Sequence, residues 1–243
     1  MISKNQIKQI CSLQHKKFRE QYQQFIIEGS RCLTSALSAG SKIDSIIYTK
    51  SYAQNNPNLI NGFGTIPQTI VSDDELKKLS PSTSPSGLMA ICHMIHYSSR
   101  NQHKNLIYLD QISDPGNMGT ILRTASWFGM DQIALSPGCI DIYNPKVVRS
   151  AMGAHFHLSW IGELTFNELD DYTLLGADQR GETIDTLNQI PKKWALIMGS
   201  EAHGLSKETR SLLNRSVSIS KIGEGESLNV GVAMGILLHQ LTR

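Results

Sequence analysis

Apolar and polar positions along the chain fall into two successive patterns. Between residues 4 and 22, Ile7, Ile10 and Leu13 recur at helical spacing in an otherwise polar run. That predicts an amphipathic helix carrying Lys16, Lys17 and Arg19. Residues 24–28 (QFIIE) are a short apolar run of strand length, and Gly29-Ser30 then punctuates the chain, with Ser30 placed to cap a helix ending at Gly40. A strand is expected at 45–48, a loop over 53–67 and a short helix with an acidic first turn at 73–79. The stretch PSTSPSG reads as a loop before a strand at 88–97. Residues 98–105 (SSRNQHKN) hold no apolar side chain, and beyond them the pattern restarts. Strands are expected at 106–111, 132–135, 155–160, 173–177, 195–198 and 216–220. Helices are expected at 119–128, at 144–152 behind Pro145, after Ser206, and from Ser227 onward. The last helix, LNVGVAMGILLHQL, is apolar nearly all round, which predicts burial against the sheet, a partner subunit or both.

Strands alternating with helices indicate an α/β fold with a mostly parallel sheet in the second part and a smaller α/β unit in the first. The expected domains are 1–97 and 105–243, joined by a linker at 98–104.

Composition narrows the classes. Of 243 residues, 40% are hydrophobic and 18% charged, which excludes wholesale disorder. No apolar run reaches the length of a membrane span, and the opening MISKNQIKQICSLQHKKF lacks the apolar core of a secretory leader. Cys11, Cys32, Cys92 and Cys139 form no CxxC pair and read as free thiols of the cytoplasm. The net charge of +2 conceals an asymmetry: residues 1–60 carry eight Lys/Arg against three acids. A basic front on a near-neutral body points to a polyanion partner.

Cys92, His93, His96 and His103 do not make a metal site, because strand alternation sends neighbouring side chains to opposite faces. Trp127 and Phe128, inside an apolar helix, are expected in the core.

Chemistry in open parallel sheets gathers beyond the carboxyl ends of strands. Three such ends share a character. After LIYLDQ comes ISDPGNMGT, where Pro115-Gly116 turns the chain, Asn117 stands near a helix start and Arg123 follows in that helix. After WALIM comes GSEAHGLS, with Gly199 and Gly204 around Glu201 and His203. After VSIS comes KIGEGESLN, with Gly223 and Gly225 before Ser227 and Asn229. Neither G-x-G-x-x-G nor a P-loop GK[ST] occurs.

Taken together, DPGNMGTILRTASWFG (114–129), IMGSEAHGLS (197–206) and ISKIGEGESLNVGVAMGILL (219–238) resemble the three motifs of the SpoU (TrmH-type) RNA 2′-O-ribose methyltransferases, in order and spacing. YNPKVVRSAMGAHF (143–156) is similar to the family between its first two motifs, and residues 4–97 more weakly resemble its N-terminal, ribosomal-protein-like RNA-binding domain. The resemblance implies an S-adenosylmethionine-binding domain tied in a deep trefoil knot, working as a homodimer on structured RNA, ribosomal ahead of transfer RNA. It carries catalytic roles onto Asn117, Arg123, Glu201, Ser227 and Asn229, and cofactor contacts onto Gly199, Ile219 and Leu228. The basic front then becomes the RNA-holding part, through Lys8, Lys16, Lys17, Arg19 and Arg31. Ser220-Lys221 departs from the family's frequent proline, and Gly231 from its frequent serine.

Arg123 is expected to stabilise a developing 2′-oxyanion rather than to act as base, because a guanidinium with a pKa above about 12 keeps its proton. The other class considered is a non-catalytic RNA-binding factor of ribosome assembly that keeps the fold. Loss of Asn117, Arg123, Glu201 or Asn229 would favour it, and all four are present.

Overall fold

The computed structural model describes residues 2–187, 189–200 and 204–243. Contacts group them into two compact units, Met1–Ile95 with Asp141–Phe156, and His96–Ile140 with His157–Arg243. The division expected at 98–104 had placed all of 105–243 in the second domain. Asp141–Phe156 instead packs with the first unit, where the Phe25 ring lies 4.7 Å from that of Tyr143 and 6.1 Å from that of Phe156.

In chain order the first unit contains α1 (Lys4–Ser12), α2 (Lys16–Tyr22), β1 (Gln24–Glu28), α3 (Ser30–Ser38), β2 (Ile43–Thr49), α4 (Lys50–Asn55), α5 (Pro57–Asn61), β3 (Gln68–Val71), α6 (Asp73–Leu79) and β4 (Leu88–His93). Its sheet runs β1-β4-β2-β3, with β4 antiparallel to both neighbours and β3 parallel to β2. Ile26, Ile47, Met89 and Ile91 from the sheet close on Ile10 and Leu13, and on Leu76 and Leu79 of α6.

The single helix expected over 4–22 is two. The α1 helix opens on a capping box of Ser3 and Gln6 and closes at Leu13, and α2 restarts after the extended His15. The break is stabilised by Arg19, whose Nη1 donates to the carbonyls of Leu13 (2.9 Å) and Gln14 (2.8 Å) just beyond the end of α1. Polar residues 53–67, expected as loop, hold the second half of α4 and all of α5; the latter starts on Pro57, whose missing N–H costs nothing in a first turn.

The second unit contains β5 (Leu106–Leu109), α7 (Pro115–Trp127) and β6 (Gln132–Leu135); α8 (Pro145–Ala151) belongs to the first unit's excursion. Then follow β7 (Ser159–Glu163), β8 (Thr173–Thr183), β9 (Trp194–Met198), α9 (Lys207–Leu212), β10 (Arg215–Ser218) and α10 (Val230–Leu241). Among the described residues its six strands are all parallel, in the order β10-β8-β9-β5-β6-β7. The chain builds outward from β5 to β6 and β7, then returns to lay β9 beside β5. That reversal sets the loops after β5 and after β9 side by side. Of the strand expected at 155–160, residues 155–157 lie instead in a short 3-10 turn, Ala154–His157, and the strand begins at Ser159. No helix among the described residues is long and apolar enough to cross a membrane.

Candidate active site

The loop after β5 ends in a helix start built by local chemistry. Asp114 Oδ1 accepts from the N–H of Asn117 at 2.8 Å, and Pro115 takes the first helical position. Thus α7 begins four residues before the expected Gly119, and Asn117 lies inside its first turn. Arg123 is exposed further along the same helix.

Trp127 corrects an expectation: it is 85% exposed, not core. The buried stripe of α7 is Met118, Ile121, Leu122 and Ala125, a 3–4 spacing that Trp127 does not continue.

The loop after β10 ends on Asn229. Its Oδ1 accepts from the N–H groups of Gly231 (3.0 Å) and Val232 (3.4 Å), so Asn229 rather than Ser227 caps α10. Its Nδ2 donates to Asn117 Oδ1 at 2.6 Å, joining the first and third loops. Ser227 is exposed two residues before the cap, Ile219 is half-buried and Leu228 is 51% exposed.

Packing of α7 on α10 supports that bond. A Cβ at Gly231 would stand 2.6 Å from Thr120 Cγ2, and one at Gly235 would stand 3.6 Å from Thr124 Cγ2. Four residues further along each helix, the Phe128 and His239 rings lie 6.3 Å apart. Glycine at 231, where the family often has serine, is therefore matched to the threonine opposite.

The loop after β9 turns back on itself. Gly199 is buried against it, and a Cβ there would lie 2.5 Å from the Gly204 carbonyl carbon, closer than any side chain can come. The Gly204 N–H donates to the Ser200 carbonyl at 2.8 Å. Glu201, with Ala202 and His203, lies outside the described residues.

Ser206 caps α9 by accepting from the N–H of Thr209, and Thr209 Oγ1 donates to Asp110 Oδ2 at 2.8 Å. Both partners are buried. Asp110 directly follows β5 and Thr209 lies in the first turn of α9, so this bond ties the start of the first loop to the helix that follows the second. Sequence reasoning missed the pair. Its signal was an acid closing the apolar run LIYL. Burial, helped by the Asp110 charge, pushes the neighbouring Tyr108 hydroxyl well above its ordinary range.

Of the basic residues expected to meet RNA, Lys8, Lys16, Lys17 and Arg31 are exposed. Arg19 is not: it is buried, ion-paired to Asp141, and bound to the two carbonyls described above. Its charge is spent inside the first unit, so Arg19 leaves the RNA-contacting set.

A parallel α/β sheet whose loops after β5 and β9 lie side by side, and whose first and third loops are joined by an asparagine pair, has the layout of a ligand site at a sheet's reversal point. The SpoU rRNA Methylase family matches residues 104–239, more than half of the chain, and the MRM3-like substrate binding domain matches residues 4–90. The chain belongs to the SpoU family of S-adenosylmethionine-dependent RNA 2′-O-ribose methyltransferases.

It is 30% identical to the 23S rRNA (guanosine(2553)-2'-O)-methyltransferase RlmP of Bacillus subtilis (strain 168), over 98% of this chain and 97% of that protein. It is 33% identical to rRNA methyltransferase 3, mitochondrial, of Xenopus tropicalis, over 93% and 71% respectively. Its fold matches that of a TrmH-family protein from Porphyromonas gingivalis with a TM-score of 0.85 at 27% identity, covering 99% of this chain and 98% of the other.

Proposed function

We propose that this protein methylates a ribose 2′-hydroxyl of ribosomal RNA, with Asn117, Arg123, Ser227 and Asn229 at the reacting end of the site. Glu201 is carried with them as an orienting residue by the family motif alone. The observation that carries the reading is the Asn117–Asn229 hydrogen bond, which unites two of the three loops at one point. Relatives named for ribosomal RNA methylation favour that RNA over transfer RNA.

The residues present fit S-adenosylmethionine. Leu228 and Ile219 offer apolar surface to a purine, and a Cβ at Gly223 or Gly225 would meet nothing within 4 Å, so the backbone there stands open to a cofactor. When bound, the cofactor supplies a methyl group activated on a sulfonium. Asn117, through Nδ2, and Ser227, through Oγ, orient the ribose in line with it. Arg123 keeps its proton and stabilises the negative charge that develops on the 2′-oxygen.

The second unit is read as the deep trefoil knot, which the insertion of β9 beside β5 supports. The first unit is read as the ribosomal-protein-like RNA-binding domain, its exposed Lys8, Lys16, Lys17 and Arg31 meeting phosphates. A homodimer is supported by the large apolar side chains left exposed on the packed pair α7 and α10: Trp127, Val232 at 50% and Ile236.

The test is a map of 2′-O-methylation across total RNA in a strain lacking this protein and in its parent. One ribosomal site lost is the expected result. A lost transfer-RNA site would move the substrate, and no lost site would favour the non-catalytic assembly factor.

A further inference from the structure

One exposed face of the first unit has a chemistry that phosphate contacts alone do not explain. On α2 and the residue before it, His15, Phe18 and Tyr22 form a continuous row of rings. The His15 and Phe18 rings meet edge to face with centroids 6.5 Å apart. The Phe18 and Tyr22 rings are near-parallel, 17° apart in plane, with centroids at 6.4 Å. His15 is exposed, Tyr22 is 36% exposed and Phe18 is half-buried. Lys17 Nζ lies 5.9 Å from the Phe18 ring centroid, and Lys16 stands beside it, paired loosely to Glu20 at 3.7 Å.

The helix that carries the row is also anchored. Arg19, next to the row on the same short helix, is buried and anchored to Asp141 and to the Leu13 and Gln14 carbonyls. Rings presented to solvent without such an anchor would be an ordinary amphipathic edge; here the helix is fixed in place before any ligand arrives, which lowers the ordering cost of binding.

We propose that His15, Phe18 and Tyr22 form a stacking platform for an unpaired nucleobase of the substrate RNA, with Lys16 and Lys17 holding the flanking phosphates. Bases splayed from loops stack on aromatic faces, and cationic neighbours complete the pattern. The lysines argue against a protein partner, since protein interfaces are depleted in lysine. The proposal rests on the RNA-methylating reading and adds the kind of RNA feature the first unit selects: a single-stranded base rather than a plain duplex.

The test uses the full chain and two RNA probes, a hairpin with an unpaired loop carrying 2-aminopurine and a blunt duplex of the same stem. Tyr22→Ala, His15→Ala and the conservative Phe18→Leu should each weaken hairpin binding by roughly tenfold or more and abolish the 2-aminopurine quench. Duplex affinity, S-adenosylmethionine binding and the salt slope should stay as in the parent. Lys16→Gln or Lys17→Gln should weaken both probes and lower the salt slope by about one. Unchanged hairpin affinity in the ring variants would overturn the proposal and assign the row to a protein contact. Equal loss on both probes would overturn it in favour of a general role in holding the fold. A parent chain that binds neither probe would defeat the RNA reading itself, a result distinct from failure of the ring variants alone.

Discussion

Asn229 Nδ2 donates to Asn117 Oδ1 at 2.6 Å, and the same Asn229 amide caps α10 through its Oδ1. One side chain thus has two separable tasks. Asn229→Asp keeps an oxygen for the cap and loses the donor to Asn117. Its thermal midpoint should match that of the parent while the methylation rate falls roughly ten- to a hundredfold, the loss of one positioned polar contact at a reacting centre. Asn229→Ala should lose the same activity and also about 1 kcal/mol of stability from the missing cap. Turnover assays paired with denaturant melts separate the two; equal destabilisation by both substitutions would merge the tasks.

Arg123 is exposed on α7. If it acts by charge, Arg123→Lys should keep measurable turnover with a stronger dependence on RNA concentration, and Arg123→Ala should not. Steady-state kinetics at saturating cofactor reads this directly. Lysine as inactive as alanine, with RNA binding intact, would defeat charge stabilisation.

The buried pair Arg19–Asp141 predicts a loss of stability rather than of RNA affinity. Asp141→Asn leaves a buried guanidinium without its counter-charge, at a cost of about 3 kcal/mol in urea melts. The salt dependence of RNA binding should not change, whereas it should drop for Lys8→Gln.

The first unit also carries a pH signature. His155 is buried with Nε2 2.7 Å from the Ile142 carbonyl oxygen, and burial pulls its pKa down to about 4. The unfolded chain binds a proton near pH 6.5 that the folded chain refuses until about pH 4, so stability falls as pH drops through that window. The full effect is about 3 kcal/mol below it. His155→Gln, which can still donate to Ile142, should flatten that part of the curve, measured by chemical denaturation at stepped pH. An unchanged slope would place the acid sensitivity elsewhere.

Asp110 and Thr209 predict a positioning effect. Thr209→Val removes the hydroxyl at nearly constant volume. It should raise KM for S-adenosylmethionine more than it lowers kcat, because the loop ahead of α9 loses its tie to β5; a change confined to kcat would mean that the tie acts on chemistry instead.

The loops at the strand ends were legible because short strings of glycine and small polar residues interrupt apolar strands, and that interruption is local. The parallel sheet was legible for the same reason. Arg19 was misread because a charged side chain beside Lys16 and Lys17 looks like surface until Asp141, 122 residues away, is seen to neutralise it. Trp127 was misread because its apolar neighbours, not its angular position on α7, were weighed. The membership of Asp141–Phe156 in the first unit depends on Phe25 meeting Tyr143 and Phe156, long-range packing that no window along the chain displays.

The central claim is transfer of a methyl group to a ribose oxygen at the Asn117–Asn229 junction. The direct measurement incubates the full chain with methyl-labelled S-adenosylmethionine and ribosomal RNA, then digests the RNA with alkali. A 2′-O-methylated nucleotide blocks cleavage, so the label should appear in an alkali-resistant dinucleotide with the parent chain and vanish with Asn117→Ala, which should still bind cofactor. Label released as ordinary mononucleotides, or undiminished label with Asn117→Ala, would contradict the account.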